Sequence, residues 1–389
     1  PIAIKLKEMG IKNFLVPADN ANEAAVVNGL NVYPVTNLVH ALDVIMGDVD
    51  DEPVAYNISD IVSVNEHKTL DFVDVKGQEM AKRAIEVAVA GGHNILLVGS
   101  PGTGKSMLAR RISSILPPMS EEEIMEITKI HSIAGKLPPN MPLMVERPFR
   151  SPHHTMSAPS LVGGGRVPTP GEVSLANNGV LFLDELPEFS RIAMEVLRQP
   201  IEDGKVTISR ANASLTYPCS TMVVCAMNPC PCGFKGHPKK ECTCSDVAAK
   251  RYLAKVSGPL LDRMDIHIEV PPVDYNQLSD NESGEPSAAI RERVNAARKI
   301  QLERFKGTGV SCNAKMTSAL TRKYCVLTED AAKILETSFE KLGLSARAYD
   351  KILKIARTIA DLDNSTDIQT KHILEAIQYR ALDRKFWKA

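Results

Sequence analysis

Eight residues constrain this 389-residue chain more than any others. The stretch "GSPGTGKS", Gly99 to Ser106, follows the apolar run Ile95 to Val98 and precedes Leu108, Ile112 and Leu116 at helical spacing. A buried strand, a glycine turn and a helix are therefore predicted in direct succession. The loop Gly99, Ser100, Pro101, Gly102, Thr103, Gly104, Lys105 and Ser106 fits G-x-x-x-x-G-K-S. Its glycines let backbone N–H groups face phosphate oxygens at the positive end of the helix. Lys105 is placed to reach the β- and γ-phosphates of a nucleotide, and the Ser106 hydroxyl to ligate Mg²⁺. Such a loop implies an α/β fold around a parallel sheet.

Two further apolar runs end in polar residues. "GVLFLDELPEF" carries Val180 to Leu183 into Asp184 and Glu185. Carboxylates at the C-terminal edge of a parallel strand lie where open α/β sheets bind ligands. Asp184 is expected to hold Mg²⁺ through water, and Glu185 to orient and deprotonate the attacking water. "TMVVCAMN" is another buried strand, ending in Asn228, which is expected to touch the γ-phosphate or the lytic water.

Around these motifs the chain divides as follows: an α/β segment at 1–50, an acidic linker at 51–71, the α/β nucleotide-binding core at 72–272, a linker and connecting helix at 273–310, and a helical lid at 311–389. A formal net charge of -1 excludes a globally basic nucleic-acid binder but not a local basic surface. No apolar run approaches the ~20 residues of a membrane helix, and no secretory segment opens the chain. A cytoplasmic location is expected, with residues upstream of Pro1, since the chain does not begin with Met.

Directly after Asn228, "MNPCPCGFKGHPKKECTCSD" puts Cys230, Cys232, Cys242 and Cys244 into fifteen positions. The loop is poor in apolar residues, so metal binding would supply the folding energy that packing does not. Four thiolates predict a structural Zn²⁺ site, although C-x-C pairs depart from the usual C-x₂₋₄-C; reduced structural cysteines and an iron–sulfur cluster are the alternatives. Two insertions are also suggestive. "KVTISRANASLTY" reads as a β-hairpin turning at 212–214 and carrying Arg210. "RPFRSPHHTMSAPSLVGGGRVPTPGE" holds Arg147, Arg150, His153, His154 and Arg166. Basic side chains at both places are candidates for gripping phosphates without reading sequence. Adjacent residues on an extended chain point opposite ways, which argues against His153 and His154 as a metal pair.

The motifs "VKGQEMAKRAIEVAVAGGHNILLVGSPGTGKS", "RPFRSPHHT", "GVLFLDELPEF", "RQPIEDGKVTISRA", "MNPCPCG" and "SGPLLDRMDIHIEV" resemble the Mg-chelatase-like AAA+ family, in its ComM/YifB branch. The resemblance implies an AAA+ P-loop NTPase core with a C-terminal helical lid, and reads 1–50 as the end of a Lon-protease-like α/β domain without a protease dyad. It implies ATP and Mg²⁺ as ligands and a homo-oligomeric ring, a hexamer, with the hairpin insertions facing its pore. It assigns Arg263 in "LLDRMD" as an arginine finger acting on a neighbouring subunit, with an ion pair to Asp262 or Asp265 as the structural alternative. It assigns Arg347 as the second sensor on the lid. The function it implies is a DNA-translocating, branch-migrating helicase acting on single-stranded or branched DNA during DNA uptake. The alternatives are a chelatase-type motor working with partner subunits, and a protein remodeller.

Overall fold

The computed structural model describes residues 1–54, 70–137, 141–165, 168–210, 213–274, 277, 284–380 and 382. They form two compact units, one of residues 1–68 with 118–147 and one of 69–117 with 148–389.

In the first unit, strands β1 (Asn13–Pro17) and β2 (Asn31–Val35) pair in parallel and are joined through the helix Ala18–Ala25. Val16, Ala21, Ala24 and Val32 bury one side of this small α/β layer. The helix Glu121–Ile133 belongs to the same unit. Its start is fixed by a capping box between Ser120 and Glu123. Ile124 on its apolar stripe packs with Val26 and Leu143. The helical period shows that such a stripe exists but not which layer it covers.

The second unit contains the remaining strands: β3 (Ile95–Val98), β4 (Phe149–Arg150), β5 (Gly163–Gly164), β6 (Thr169–Pro170), β7 (Val180–Leu183), β8 (Lys205–Arg210), β9 (Ala213–Pro218), β10 (Met222–Met227) and β11 (Ile266–Glu269). Five of them make one parallel sheet in the order β11-β3-β10-β7-β4. Alternate residues divide between two cores, as a strand period of two requires. Leu96, Val98, Leu181, Leu183, Val223 and Cys225 face one side. Ile95, Leu97, Val180, Phe182, Val224 and Ala226 face the other. Burial on both faces is why these runs are apolar throughout rather than alternating.

The predicted hairpin is present as β8 and β9, paired antiparallel. Ala213 and Ser214, expected in its turn, already belong to β9. Residues 211 and 212 lie outside the described residues, as does Arg166.

The expected helical domain follows β11 as the helices Ser287–Arg304, Ser318–Tyr324, Glu329–Leu342, Ala346–Leu362 and Thr370–Gln378. It does not have a core of its own: Ile290, Val294, Ile352 and Ile355 share one hydrophobic cluster with Ile95, Leu97 and Phe182. Within 273–310, the helix Ser287–Arg304 lays Ile290, Val294 and Ala297 into that cluster. Its Gln301 amide donates to the Ala90 carbonyl at 3.0 Å. The lid also buries a charge network. The Asp361 carboxylate accepts from Arg304 Nη1 (2.8 Å) and Nη2 (2.5 Å), from Arg357 Nε (3.1 Å) and from Asn313 Nδ2 (2.8 Å).

Candidate nucleotide site

Strand order places the site. β10 lies between β3 and β7, so Asn228 emerges between the glycine loop after β3 and the carboxylates after β7. The register aligns Met227 with Val98 and Cys225 with Leu183, which brings all three strand ends to one edge. The sequence reading of Lys105, Ser106, Asp184, Glu185 and Asn228 as neighbours therefore has a structural counterpart.

The Lys105 ammonium donates to the carbonyls of Gly99 (2.8 Å) and Ser100 (2.9 Å) and to Asn228 Oδ1 (3.2 Å). Burial pulls its pKa below the ordinary lysine value, an effect the nearby Asp184 and Glu185 carboxylates partly offset. Ser106 Oγ donates to Asp184 Oδ2 at 2.6 Å. A hydroxyl and a carboxylate this close are the oxygen donors a small hard cation needs, so the pair fits Mg²⁺. The helix that opens at Lys105 supplies the positive end facing the loop.

Glu185 has left-handed backbone, φ 51°, unusual for a residue with a side chain. The Asp184 Oδ1 carboxylate oxygen accepts from the Glu185 N–H at 2.9 Å and so holds the bend. The Glu185 side chain remains open, and His154 Nδ1 lies 3.4 Å from its Oε2. The sequence flagged the histidine pair but not this contact. Another contact, unmarked in the sequence, comes from Gln78, whose backbone is also left-handed. Its amide donates to the Thr103 carbonyl at 2.5 Å and tethers the loop from behind. Beyond Glu185 and Asn228 the site opens into a cavity of about 510 Å³, walled by Pro231 of the cysteine loop and by Arg251, Tyr252 and Lys255.

The two predicted arginines are placed differently. Arg263 donates to the carbonyls of Arg198 (3.0 Å) and Pro259 (2.6 Å) and pairs with Glu202. Its carboxylate partner is therefore neither Asp262 nor Asp265; Asp265 pairs instead with Lys351 at 2.8 Å. Arg347 is exposed in the first turn of the helix Ala346–Leu362.

The four cysteines come together. The thiols of Cys230, Cys232, Cys242 and Cys244 all lie within 4.8 Å of one another. Cys230 is 3.4 Å from Cys232 and 3.7 Å from Cys242, and Cys232 is 3.6 Å from Cys242. Four sulfurs bound tetrahedrally at ~2.3 Å would be ~3.8 Å apart, so the donor set fits a tetrathiolate metal. The Cys232 thiol is pulled down to about 5, chiefly by the Phe234 backbone N–H.

The basic insertion is less available than its composition suggested. Arg150 makes two bonds to Glu172, at 2.6 and 2.8 Å, and Arg147 pairs with Glu123 at 2.7 Å. Both guanidinium groups are held by carboxylates of the chain itself. Among the described residues no helix is long and apolar enough to cross a membrane.

Comparison with known proteins agrees with this geometry. The model described as "Magnesium chelatase, subunit ChlI" matches residues 71–278, and that described as "Magnesium chelatase, subunit ChlI C-terminal" matches 284–380. The competence protein ComM of Haemophilus influenzae is 43% identical, over 99% of this chain and 75% of its own length. The uncharacterized protein YifB of Salmonella typhimurium is 42% identical, over 96% of this chain and 72% of its own. The magnesium-chelatase subunit ChlI of Euglena gracilis is 26% identical, over 42% of this chain and 54% of its own length.

Proposed function

This chain belongs to the magnesium chelatase ChlI family, in the branch that holds ComM and YifB, and from that premise we propose that it is an AAA+ ATPase motor that moves along DNA. The observation that carries the ATPase reading is the gathering of Lys105, Ser106, Asp184, Glu185 and Asn228 at one edge of three adjacent strands.

In this reading the backbone N–H groups of 99–106 hold the phosphates, and Lys105 turns its ammonium from the loop carbonyls to the β- and γ-phosphates. Ser106 and Asp184 would hold Mg²⁺, which supplies charge neutralisation at the phosphates. Glu185 takes the proton of the attacking water, and His154 orients its carboxylate. Asn228 contacts the γ-phosphate or that water. Arg263, released from Glu202, reaches a neighbouring subunit's site, where such an arginine contributes about 10³–10⁵ in rate. Arg347 acts from the lid, and the assembly is a ring of identical subunits, a hexamer. The four cysteines hold one structural Zn²⁺, with no open position for chemistry.

The DNA reading rests on the similarity to the competence protein and on the β8–β9 hairpin, not on Arg147 or Arg150. A chelatase-type motor is the second reading, favoured by the family models themselves. ATP hydrolysis measured with and without single-stranded or branched DNA separates them. Stimulation supports the DNA motor; a rate indifferent to DNA at low salt removes it.

A further inference from the structure

The cysteine loop touches the nucleotide site. Its first turn runs Cys230-Pro231-Cys232-Gly233 and closes by the Gly233 N–H donating to the Cys230 carbonyl at 3.0 Å. Gly233 has φ +82°, a conformation glycine adopts without cost. A Cβ built on it would lie 2.4 Å from Cδ and 2.7 Å from Cγ of Pro101, in the middle of the phosphate loop. The same Cβ would be 3.7 Å from Cγ of Asn228. The loop backbone therefore sits directly on the proline ring, with no room between.

Neither side of this contact can yield freely. The turn is fixed by its sulfurs: Lys235 N–H donates to Cys230 Sγ at 3.4 Å and Cys232 N–H to Cys244 Sγ at 3.3 Å. Pro101 follows Ser100, whose carbonyl seats the Lys105 ammonium. A shift of Pro101 is thus a shift of that seat. At its far end the cysteine loop runs into Ser245, which caps the helix Asp246–Leu253. Ala248, Arg251 and Tyr252 of that helix wall the cavity beyond Glu185.

We propose that the tetracysteine turn is a positioning element of the nucleotide site, and that Gly233 is the residue through which it sets the phosphate loop. The metal's role is then to hold this backbone against Pro101 rather than only to fold a surface loop. The inference rests on the nucleotide reading above, while the contact itself does not depend on which metal is bound.

The test is a double-mutant cycle read by nucleotide binding, with metal content measured on every variant. Gly233→Ala is expected to weaken binding of a fluorescent ATP analogue by about tenfold while one equivalent of metal is retained. In a Pro101→Ala background, which removes Cγ and Cδ, the same change is expected to cost about threefold or less, the residue of left-handed strain at an alanine. Equal losses in both backgrounds, or no loss in either, overturn the proposal. Should Gly233→Ala fail to fold, hydrogen exchange of amides 99–106 decides on the unaltered protein: faster exchange after a chelator strips the metal supports the coupling, and unchanged exchange overturns it. Wild type that binds no nucleotide sinks the nucleotide reading itself. Wild type purified without metal sinks the tetrathiolate reading and leaves the mutant cycle to decide the positioning role.

Discussion

Replacing Asp361 with alanine is expected to unsettle the lid and, through it, the whole second unit. Its side chain is fully buried and receives two bonds from Arg304, one from Arg357 Nε and one from Asn313. Arg357 is itself 1% exposed. Burial holds its pKa below the ordinary arginine value, against the pull of Asp361, so its surroundings already disfavour the charge. Removing the carboxylate leaves that guanidinium on the Thr366 and Ser365 carbonyls but without a counter-charge, and such losses cost about 3–5 kcal/mol. At roughly 2–4 °C per kcal/mol for domains somewhat smaller than this unit, melting should fall by about 6–20 °C. Asp361→Asn keeps the shape and one acceptor and should fall by less. Replacing Asp361, Arg304 and Arg357 together by apolar residues of similar volume should recover most of the loss, because no charge is then stranded. Thermal unfolding followed by circular dichroism measures all three. A melting point within about 2 °C of wild type for Asp361→Ala, against the roughly 6 °C minimum, would refute the reasoning.

Three other outcomes are expected. Lys105→Ala should abolish ATP binding, whereas Glu185→Gln should bind ATP and turn it over at least about a hundredfold more slowly, as single-turnover hydrolysis would show. Mixing inactive Arg263→Ala with inactive Lys105→Ala should restore part of the ATPase through mixed interfaces; no recovery in a mixture shown to co-assemble would leave Arg263 with its Glu202 contact alone. His93 is fully buried, and burial outweighs Asp265 and holds its pKa below 6.5. A base with a depressed folded pKa binds its proton more readily when unfolded, so its stability contribution is complete above about 6.5 and is lost as pH falls below it. Denaturant melts of His93→Gln should accordingly decline less than wild type between about pH 6.5 and 5, and parallel declines would refute the assignment.

What could be read from the sequence was local. The glycine loop, Asp184, Glu185 and Asn228 each end an apolar run, and a strand end is a place that sequence can mark. The parallel sheet followed from those runs. The cysteines were legible as donors because four sulfurs in fifteen positions are rare, and their convergence in space agrees with that reading. Contacts between distant segments left no such trace. Gln78 on Thr103, His154 beside Glu185 and Gly233 on Pro101 depend on how the loops return over the sheet edge. For Arg147 and Arg150 the sequence marked the charges but not the Glu123 and Glu172 carboxylates that receive them.

The shared core of sheet and lid bears on how this protein can be cut and recombined. Helix Ser287–Arg304 carries the chain out of the sheet while its Ile290 and Val294 remain in the same cluster as Leu97 and Phe182. A fragment ending before Ser287 would uncover the helix Glu79–Gly91, on which Ser287–Arg304 and Ala346–Leu362 pack, and a fragment beginning there would be a set of helices with half a core. The lid is therefore not a transferable module. A chimera that exchanges it between relatives must exchange the facing residues of Glu79–Gly91 to match, or accept a seam through the interior.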